Sequence, residues 1–276
     1  MKSFFQKHPF KVPENKRKKY FRKLLTNRSD NVIIRFRLFF SQIYYLRGSF
    51  MKIYAMSDIH GCIAEFDEAL SLIDLSGDNM LILCGDYIHG YDSYSVLDRI
   101  TALQEEYGND RVIALMGNHE KMVIDGEMSI VDKGKPLYDE EREARYVEWM
   151  QSLPRYYETE KQIFVHAGIC EEAEELWQWS TTDDEYLWQF SKRKGRFYKD
   201  IIAGHTGTST LAGNSHFHDI YYDGQSHYYI DGSTRKSHKL PVLMYDTYAG
   251  KYYRMTRQAA WPVIAYELEY PSDYRF

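Results

Sequence analysis

Short apolar runs recur along the chain, and most of them end at glycine or at a small polar residue. Runs of this length with glycine punctuation are typical of buried strands. The pattern predicts strands at Lys52–Met56, Met80–Cys84, Val112–Met116, Ile163–Val165 and Ile201–Ala203. The first half of the chain is therefore predicted to be built on a sheet whose strands are buried on both faces.

The segments between these runs repeat apolar residues at helical spacing. This pattern predicts helices at Ile63–Ile73, Ser95–Tyr107 and Asp139–Leu153, the last stopped by Pro154. Beyond His205 the pattern changes to alternation, which predicts strands at Ile220–Tyr222, His227–Ile230 and Pro241–Tyr245. Strand and helix units followed by a strand-rich tail predict an α/β fold with two sheets face to face and helices outside.

Each of the five predicted strands is followed by residues that can bind a metal ion. The clusters are Ser57-Asp58-Ile59-His60-Gly61, Gly85-Asp86, Gly117-Asn118-His119-Glu120, His166-Ala167-Gly168 and Gly204-His205-Thr206. In open α/β sheets ligands gather beyond the carboxyl ends of the strands, so these clusters are expected to converge. Carboxylate, imidazole and amide groups suit Mn²⁺, Fe or Zn²⁺.

Two such ions about 3.5 to 4 Å apart need a carboxylate that bridges them. Asp86 is the natural bridge. Asp58 and His60 lie two residues apart, so in an extended backbone they point to one side and can share one ion. Asn118, His166 and His205 would complete the second site. We therefore expect two divalent metal ions as cofactors, with Mn²⁺ favoured over Fe and Zn²⁺.

These motifs resemble the phosphoprotein phosphatase (PPP) branch of the calcineurin-like metallophosphoesterases, from about Met51 to about Thr256. The resemblance implies a four-layer α/β/β/α sandwich of two mixed sheets flanked by helices. It also implies a metal-dependent phosphoric ester hydrolase. By the same resemblance, Asp58, His60 and Asp86 would hold the first ion. Asp86, Asn118, His166 and His205 would hold the second.

The last motif separates two branches of this superfamily. The phosphodiesterases and nucleases carry Gly-His-x-His, whose second histidine binds the first metal. This chain reads Gly204-His205-Thr206-Gly207, and glycine has no side chain to bind a metal. The sequence therefore favours the phosphatase branch.

The expected chemistry is in-line attack on phosphorus by a hydroxide that bridges the two ions. His119 is the predicted general acid for the leaving oxygen, because it directly follows the ligand Asn118 and so projects beside the metals. Asn118 is also a candidate for substrate binding. For Glu120, hydrogen bonding to nearby donors at a helix start is at least as well supported as a chemical role.

Two departures from the family pattern affect substrate binding. The family has Asp-Tyr-Val-Asp-Arg-Gly where this chain reads Asp86-Tyr87-Ile88-His89-Gly90, so an aspartate that orients the acid histidine and a phosphate-binding arginine are both missing. His89 or Asp92 could orient His119 instead and are counted as candidate catalytic residues. The alternative is that His89 is only a loop residue.

In the family, a second phosphate-binding arginine ends a Leu-Trp-x-Arg segment. The matching segment here is Leu187-Trp188-Gln189-Phe190, which ends in phenylalanine. Arg193 and Arg196 follow closely and are the candidate substitutes, although the same segment could be a solvated basic loop. Loss of a bidentate arginine weakens recognition of a terminal phosphate more than it weakens metal chemistry. The catalytic centre is therefore better specified than its substrate.

Three functions are compatible with these residues. The first is a Ser/Thr phosphoprotein phosphatase that also hydrolyses small phosphate monoesters. The second is a symmetrical bis(5'-nucleosyl)-tetraphosphate hydrolase in which some of the 25 tyrosines stack an adenine. The third is a metal-binding regulatory module with low or no activity. We expect the first, with a phosphorylated protein or a small phosphorylated or nucleotide substrate as the partner.

Charge divides the chain at about residue 50. Residues 1–50 hold 13 Lys and Arg against 2 Asp and Glu, whereas residues 51–276 are acidic overall. The sequence thus predicts a catalytic domain at 51–276 preceded by a basic segment, which is either a flexible extension or an upstream start. A solvated tail is favoured over contact with nucleic acid or an anionic surface.

The targeting and redox signals agree with a cytoplasmic enzyme. The apolar stretch from Val32 to Leu46 is interrupted by Arg35 and Arg37, so no membrane span is expected. Three cysteines cannot form a disulfide framework, which indicates a reducing compartment.

Overall fold

The computed structural model describes residues 51–131, 136–190 and 195–266. The prediction for residues 1–50 and the candidate Arg193 lie outside this part of the chain. The strands are β1 Lys52–Met56, β2 Met80–Leu83, β3 Val112–Ala114, β4 Tyr156–Glu158, β5 Gln162–Val165, β6 Asp200–Ala203, β7 Tyr221–Tyr222, β8 His227–Tyr229, β9 Leu243–Asp246, β10 Lys251–Met255 and β11 Ala260–Pro262. All predicted strands are present, with no end shifted by more than two residues.

The helices follow the predicted pattern and include several short ones near the site. They are α1 Ile63–Leu70, α2 Ser93–Tyr107, α3 Asn118–Ile124, α4 Glu140–Gln151, α5 Trp177–Ser180, α6 Asp183–Trp188, α7 Thr208–Ala212 and α8 Thr234–Ser237, with a 3₁₀ helix at Glu171–Leu176. The α4 helix begins after Asp139, whose carboxylate accepts a hydrogen bond from the Arg142 amide. This cap explains why the acidic cluster predicted there marks a helix start.

The strands form two mixed sheets. In the first, the order is β11-β10-β9-β1-β2-β3, with β1, β2 and β3 parallel. In the second, the order is β4-β5-β6-β8-β7, with β5, β6 and β8 parallel. Parallel neighbours bring their carboxyl ends to one edge of each sheet. The metal-binding clusters that follow β1, β2, β3, β5 and β6 are thereby brought together.

Alternate residues of the strands face different layers. Ile53 and Ile82 from the first sheet share a buried cluster with Phe164 and Ile202 from the second, so the two sheets pack face to face. Their sequence neighbours, such as Tyr54, belong to the larger cluster that includes helix residues. The predicted four-layer α/β/β/α sandwich is therefore confirmed.

Tyrosines of the carboxyl-terminal half stack between the sheets. The Tyr222 and Tyr228 rings lie 4.2 Å apart and nearly parallel, and Tyr252 contacts both Tyr228 and Tyr245. Tyr228 and Tyr245 are buried in the layer between the sheets. These rings stabilise the packing of the sheets. Their position between the sheets does not support adenine stacking by these four tyrosines.

A buried histidine makes the stability of the second sheet depend on pH. In His227, Nδ1 lies 2.9 Å from an Asp223 carboxylate oxygen and Nε2 lies 3.1 Å from one of Glu171. Burial lowers the pKa of His227, but the hydrogen bonds and charges of Glu171 and Asp223 outweigh burial and raise that pKa above 6.5. Asp200 adds a further nearby carboxylate.

We expect the free energy of unfolding to fall as pH rises through the raised pKa of His227. A group with a raised folded-state pKa contributes its full stability below its unfolded value and loses it as it deprotonates. Chemical denaturation from pH 6 to pH 9 should show this loss in the wild type and much less of it in His227→Gln. Parallel pH profiles of the two proteins would contradict the assignment.

Within the described residues, no helix combines the length and the apolar character needed to cross a membrane.

Candidate active site

The backbone turns sharply where the predicted ligands leave their strands. Asp58, His60, Asp86 and His205 all have φ between 49° and 60°, which is the left-handed region. Residues other than glycine adopt this conformation at a cost, and such residues concentrate at functional sites. Here the turns direct four side chains from three strand ends toward one another.

Two glycines allow the strand ends to approach closely. A Cβ on Gly204 would lie 2.2 Å from a carboxylate oxygen of Asp58, and one on Gly85 would lie 2.8 Å from Nδ1 of His166. Gly85 also has a φ of +90°, which favours glycine. The glycines in these motifs are therefore required by the tight packing of the ligands around the centre.

The side chains form two groups that share one carboxylate. His60, Asp86 and His119 make the first group, and Asp86, His166 and His205 make the second. Asp86 Oδ2 lies 3.6 Å from His60 Nε2, and Asp86 Oδ1 lies 3.4 Å from His166 Nε2. Asp86 thus occupies the position predicted for the bridge, with one oxygen toward each group.

The remaining predicted ligands lie beside these two groups. Asp58 Oδ1 is 3.9 Å from His60 Nε2, and its other oxygen accepts a hydrogen bond from the His205 amide. Asn118 Oδ1 is 2.8 Å from His166 Nε2. The six predicted ligand residues are therefore brought together at one edge of the two sheets. His119 joins the first group as well, although the sequence analysis placed it beside the metals.

Backbone carbonyls fix the orientation of two histidines. Nδ1 of His60 lies 3.0 Å from the Ile88 carbonyl, and Nδ1 of His166 lies 2.8 Å from the Cys84 carbonyl. A carbonyl only accepts, so Nδ1 of each ring carries the hydrogen. Nε2 of His60 then presents a lone pair toward Asp86, and Nε2 of a neutral His166 presents one toward Asp86 Oδ1 and Asn118 Oδ1, two oxygens that face it without a hydrogen between them. Histidines that bind metals commonly hold this arrangement.

The charge balance of the centre also fits divalent cations. Asp58 and Asp86 are each only 2% exposed. Burial raises the pKa of both carboxyls. The charge of Asp231 raises the pKa of Asp58 further, and the charge of Glu120 raises the pKa of Asp86 further. Burial likewise lowers the pKa of His166, so its ring is neutral. The centre thus presents nitrogen lone pairs and buried carboxylates that face one another. Two divalent ions would bind these donors and neutralise the carboxylates.

Glu120 supports the bridge through the backbone. Its Oε2 accepts hydrogen bonds from the Asp86 amide at 2.8 Å and the Gly117 amide at 3.0 Å, and its Oε1 accepts one from the Tyr87 amide at 2.8 Å. The side chain is completely buried. The predicted hydrogen-bonding role of Glu120 thus agrees with its contacts, which fix the loop that carries Asp86.

We expect Glu120→Gln to lower activity by roughly 10- to 100-fold, the usual effect of losing a group that orients a metal ligand. The glutamine amide nitrogen would face backbone donors, and each donor left unsatisfied costs about 1 to 3 kcal/mol. Steady-state kinetics and thermal unfolding would measure both effects. Glu127→Gln, at an exposed position just beyond the same helix, is the matched control and should behave as wild type.

The acid candidate His119 contacts one of its two predicted partners. Nδ1 of His89 lies 2.6 Å from Nδ1 of His119, and Nε2 of His89 lies 3.1 Å from the Ser129 carbonyl. Asp92 instead caps α2, where its carboxylate accepts hydrogen bonds from the amide and hydroxyl of Ser95. The structure therefore places His89 at His119, and it does not place Asp92 there.

Gly90 explains the missing arginine in this loop. A Cβ on Gly90 would lie 1.4 Å from the His60 carbonyl oxygen, so no side chain fits at this position. The loop after Asp86 packs directly against the loop that carries His60. An arginine cannot simply be restored here.

Arg196 does not approach the centre. It precedes the amino end of β6, whereas His205 follows the carboxyl end of that strand. Its neighbour Gly195 donates a hydrogen bond to Asp223, which lies in the turn before β8. The four residues of β6 separate the two ends by about 13 Å. The proposed substitution by Arg196 is therefore wrong, because the sheet keeps it at the opposite edge.

Two residues after β8 were missed by the sequence analysis. Asp231 is buried and its charge raises the pKa of Asp58. Arg235 carries a positive charge that contributes to lowering the pKa of His60 and of His119. A usable signal existed, because the run Tyr228-Tyr229-Ile230 ends in Asp231-Gly232. Asp231-Gly232 has the composition of a turn, but it is a sixth cluster at the end of a strand.

The sandwich fold and this set of side chains indicate a calcineurin-like phosphoesterase domain. The chain belongs to the family described as calcineurin-like phosphoesterases, which it matches over residues 51–241. This confirms the family that the motifs predicted.

Two curated relatives carry the same name, symmetrical bis(5'-nucleosyl)-tetraphosphatase. The protein from Nitrosospira multiformis is 33% identical over 127 residues, covering 43% of this chain and 44% of the relative. The one from Nitrosomonas europaea is 26% identical over 181 residues, covering 61% of each chain. The chain thus spans about half of the first relative and three fifths of the second.

A solved structure supports the fold. The protein serine/threonine phosphatase from Saccharomyces cerevisiae matches with a TM-score of 0.55 and 14% identity, over 81% of this chain and 82% of that one. At this identity the likeness extends to the fold alone.

Proposed function

We propose that this protein is a two-metal phosphohydrolase that cleaves dinucleoside polyphosphates symmetrically. The observation that carries the phosphohydrolase assignment is Asp86, whose two oxygens face two separate groups of ligands. The substrate class is supported by the names of the Nitrosospira and Nitrosomonas relatives. It is also supported by the absence of arginine from the two positions where the family pattern has one.

The role of His119 follows from its hydrogen-bonding partners. The Ser129 carbonyl accepts the hydrogen of His89 Nε2, so Nδ1 of a neutral His89 is an acceptor for the His119 Nδ1 hydrogen. The His119 Nε2 atom is then the one that exchanges a proton, and it lies 3.8 Å from Asp86 Oδ2. We assign to this atom the proton that passes to the leaving oxygen.

The other residues hold the reacting groups in place. Two divalent ions, when bound, would supply an activated water and neutralise charge on the phosphoryl oxygens. Asp58, His60, Asp86, Asn118, His166 and His205 would bind them. His89 keeps the His119 ring oriented through Nδ1, in place of the family's aspartate. Because a histidine side chain carries no negative charge, His89 orients the ring without adding one.

The Ser/Thr phosphoprotein phosphatase expected from the motifs is the competing assignment. In a phosphoprotein the leaving group is an alcohol, which carries no phosphate of its own. The only phosphate that a protein phosphatase can recognise is therefore the terminal dianion. Both arginines that bind this dianion in the family pattern are replaced. One of them is replaced by Gly90, where no side chain fits. The metal chemistry does not depend on those arginines.

A direct comparison of substrates tests the proposal. Full-length protein with Mn²⁺ would be assayed on diadenosine tetraphosphate, on a phosphoserine peptide and on an aryl phosphate. We expect the dinucleotide to have the highest kcat/KM, with ADP as its only nucleotide product.

Two results would contradict this assignment. A higher kcat/KM for the phosphopeptide would support the protein phosphatase instead. Release of ATP and AMP would exclude symmetrical cleavage. Asp86→Asn protein prepared in parallel controls for contaminating hydrolases.

A further inference from the structure

A cavity of about 590 Å³ borders the acid histidine. Its described walls include His89, Tyr91, His119, Met128, Leu137 and Arg235. Tyr91, Met128 and Leu137 are exposed for 69%, 40% and 60% of their surface, so apolar and aromatic groups are available to a ligand there. The volume lies within the range that binds small molecules, about 300 to 1,000 Å³.

The position of His119 identifies which part of a substrate enters this cavity. In hydrolysis, the attacking water gives a proton to solvent as its oxygen forms a bond to phosphorus, the P–O bond to the leaving oxygen breaks, and the proton on His119 Nε2 passes to that leaving oxygen. The leaving oxygen must therefore lie within hydrogen-bonding distance of His119. The group attached to it extends into the cavity that His119 borders.

Arg235 supplies the positive charge of this cavity. Among the described lining residues Asp92 is the single acidic one, and its carboxylate is held by Ser95 at the start of α2. Among the described residues, Arg235 forms no ion pair, and it is exposed. Its effect on the pKa of His119 agrees with a guanidinium close to the acid. A ligand in this cavity would thus meet a cation that no described residue pairs with.

The backbone around Arg235 is held in place. Ser233 has a φ of 56°, and its amide donates a hydrogen bond to Asp231 at 2.7 Å. The Tyr91 hydroxyl donates to the Arg235 carbonyl at 3.4 Å, which joins the loop after β8 to the loop after β2. The arginine is therefore presented from a fixed position opposite the loop that carries His89.

We propose that this cavity binds the leaving group and that Arg235 binds a phosphate of the leaving group that does not react. The ligand class is a nucleotide that keeps its own phosphate after cleavage, such as a nucleoside diphosphate. This inference rests on the proposed function and deepens it. It accounts for phosphate recognition in a chain that lacks both arginines of the family pattern, because the cation comes from a different loop.

The test compares Arg235→Gln with a neighbouring charge loss, Lys236→Gln, which removes an exposed cation from the same helix. For Arg235→Gln, we expect the ratio of kcat/KM on diadenosine tetraphosphate to kcat/KM on an aryl phosphate to fall by about tenfold to a hundredfold. The aryl leaving group has no phosphate for Arg235 to bind. Arg235→Lys should recover part of the ratio, and Lys236→Gln should keep the wild-type ratio.

Binding of ADP separates this inference from the proposed function. Calorimetric titration of ADP in the presence of Mn²⁺ should show affinity reduced by about tenfold or more in Arg235→Gln and unchanged in Lys236→Gln. Wild type that fails to cleave the dinucleotide but shows this ADP pattern would refute the proposed function and retain the cavity assignment. Equal ADP affinity in wild type and Arg235→Gln, or an equal loss on both substrates, would overturn the role of Arg235.

Discussion

His119→Ala is expected to lower kcat by about 10²- to 10⁴-fold, the usual contribution of a positioned general acid. The loss should be smaller for a substrate with a good leaving group, such as an activated aryl phosphate, because that oxygen departs without a proton. Steady-state kinetics on aryl phosphates of increasing leaving-group pKa would show a steeper dependence in the variant than in wild type.

Metal content distinguishes the acid from a ligand. His119 belongs to the group that contains His60 and Asp86, so loss of activity alone would not assign its role. We expect His119→Ala to keep the wild-type metal content, whereas His60→Ala should lose metal. If His119→Ala loses metal to the same extent, His119 is a ligand and the acid lies elsewhere.

A double-mutant cycle tests the contact between the two histidines. If His89 acts only by orienting His119, His89→Ala should lower kcat in the wild-type background and have little further effect in His119→Ala. Independent effects of the two substitutions would show that His89 acts separately. Asp92→Ala, which affects the cap of α2, should lower stability by about 0.5 to 2 kcal/mol without sharing this coupling.

The strand-end clusters were predictable because they combine two local signals. Buried parallel strands appear as short apolar runs, and their carboxyl ends must meet at one edge. Asp58, His60, Asp86, Asn118, His166 and His205 could therefore be placed near one another from the sequence. The same reasoning would have included Asp231, which follows the buried strand β8 in the same way. It was missed because an Asp-Gly pair is also the commonest signal of a turn.

The substrate-facing residues could not be predicted in this way. Arg196 is close to the site motifs along the chain, but the direction of β6 places it at the opposite edge. Arg235 comes from the loop after β8, 146 positions beyond His89, and only the packing of the two sheets brings the two residues to one cavity. Sequence distance is a poor guide where long-range sheet pairing decides which loops meet.

Asp86→Asn is expected to abolish most of the activity, because this residue alone belongs to both ligand groups among the described residues. The stabilisation of a transition state by the ions is worth several kcal/mol, so we expect a loss of about a thousandfold or more. The asparagine would keep an oxygen to accept the His119 amide hydrogen bond that Asp86 Oδ1 now accepts at 3.0 Å. Asp78→Asn, at an exposed position in the turn before β2, is the matched control and should keep wild-type activity.

The effect of the same substitution on stability should depend on metal. Without ions, burial and the charges of Glu120 and Asp58 raise the pKa of Asp86, so ionisation of this carboxyl opposes folding. In chelator, Asp86→Asn should therefore unfold at the same or a higher temperature than wild type. Added Mn²⁺ binds only the folded protein and should raise the Tm of wild type but not of the variant. If both proteins gain equal Tm from Mn²⁺, Asp86 does not bridge the ions.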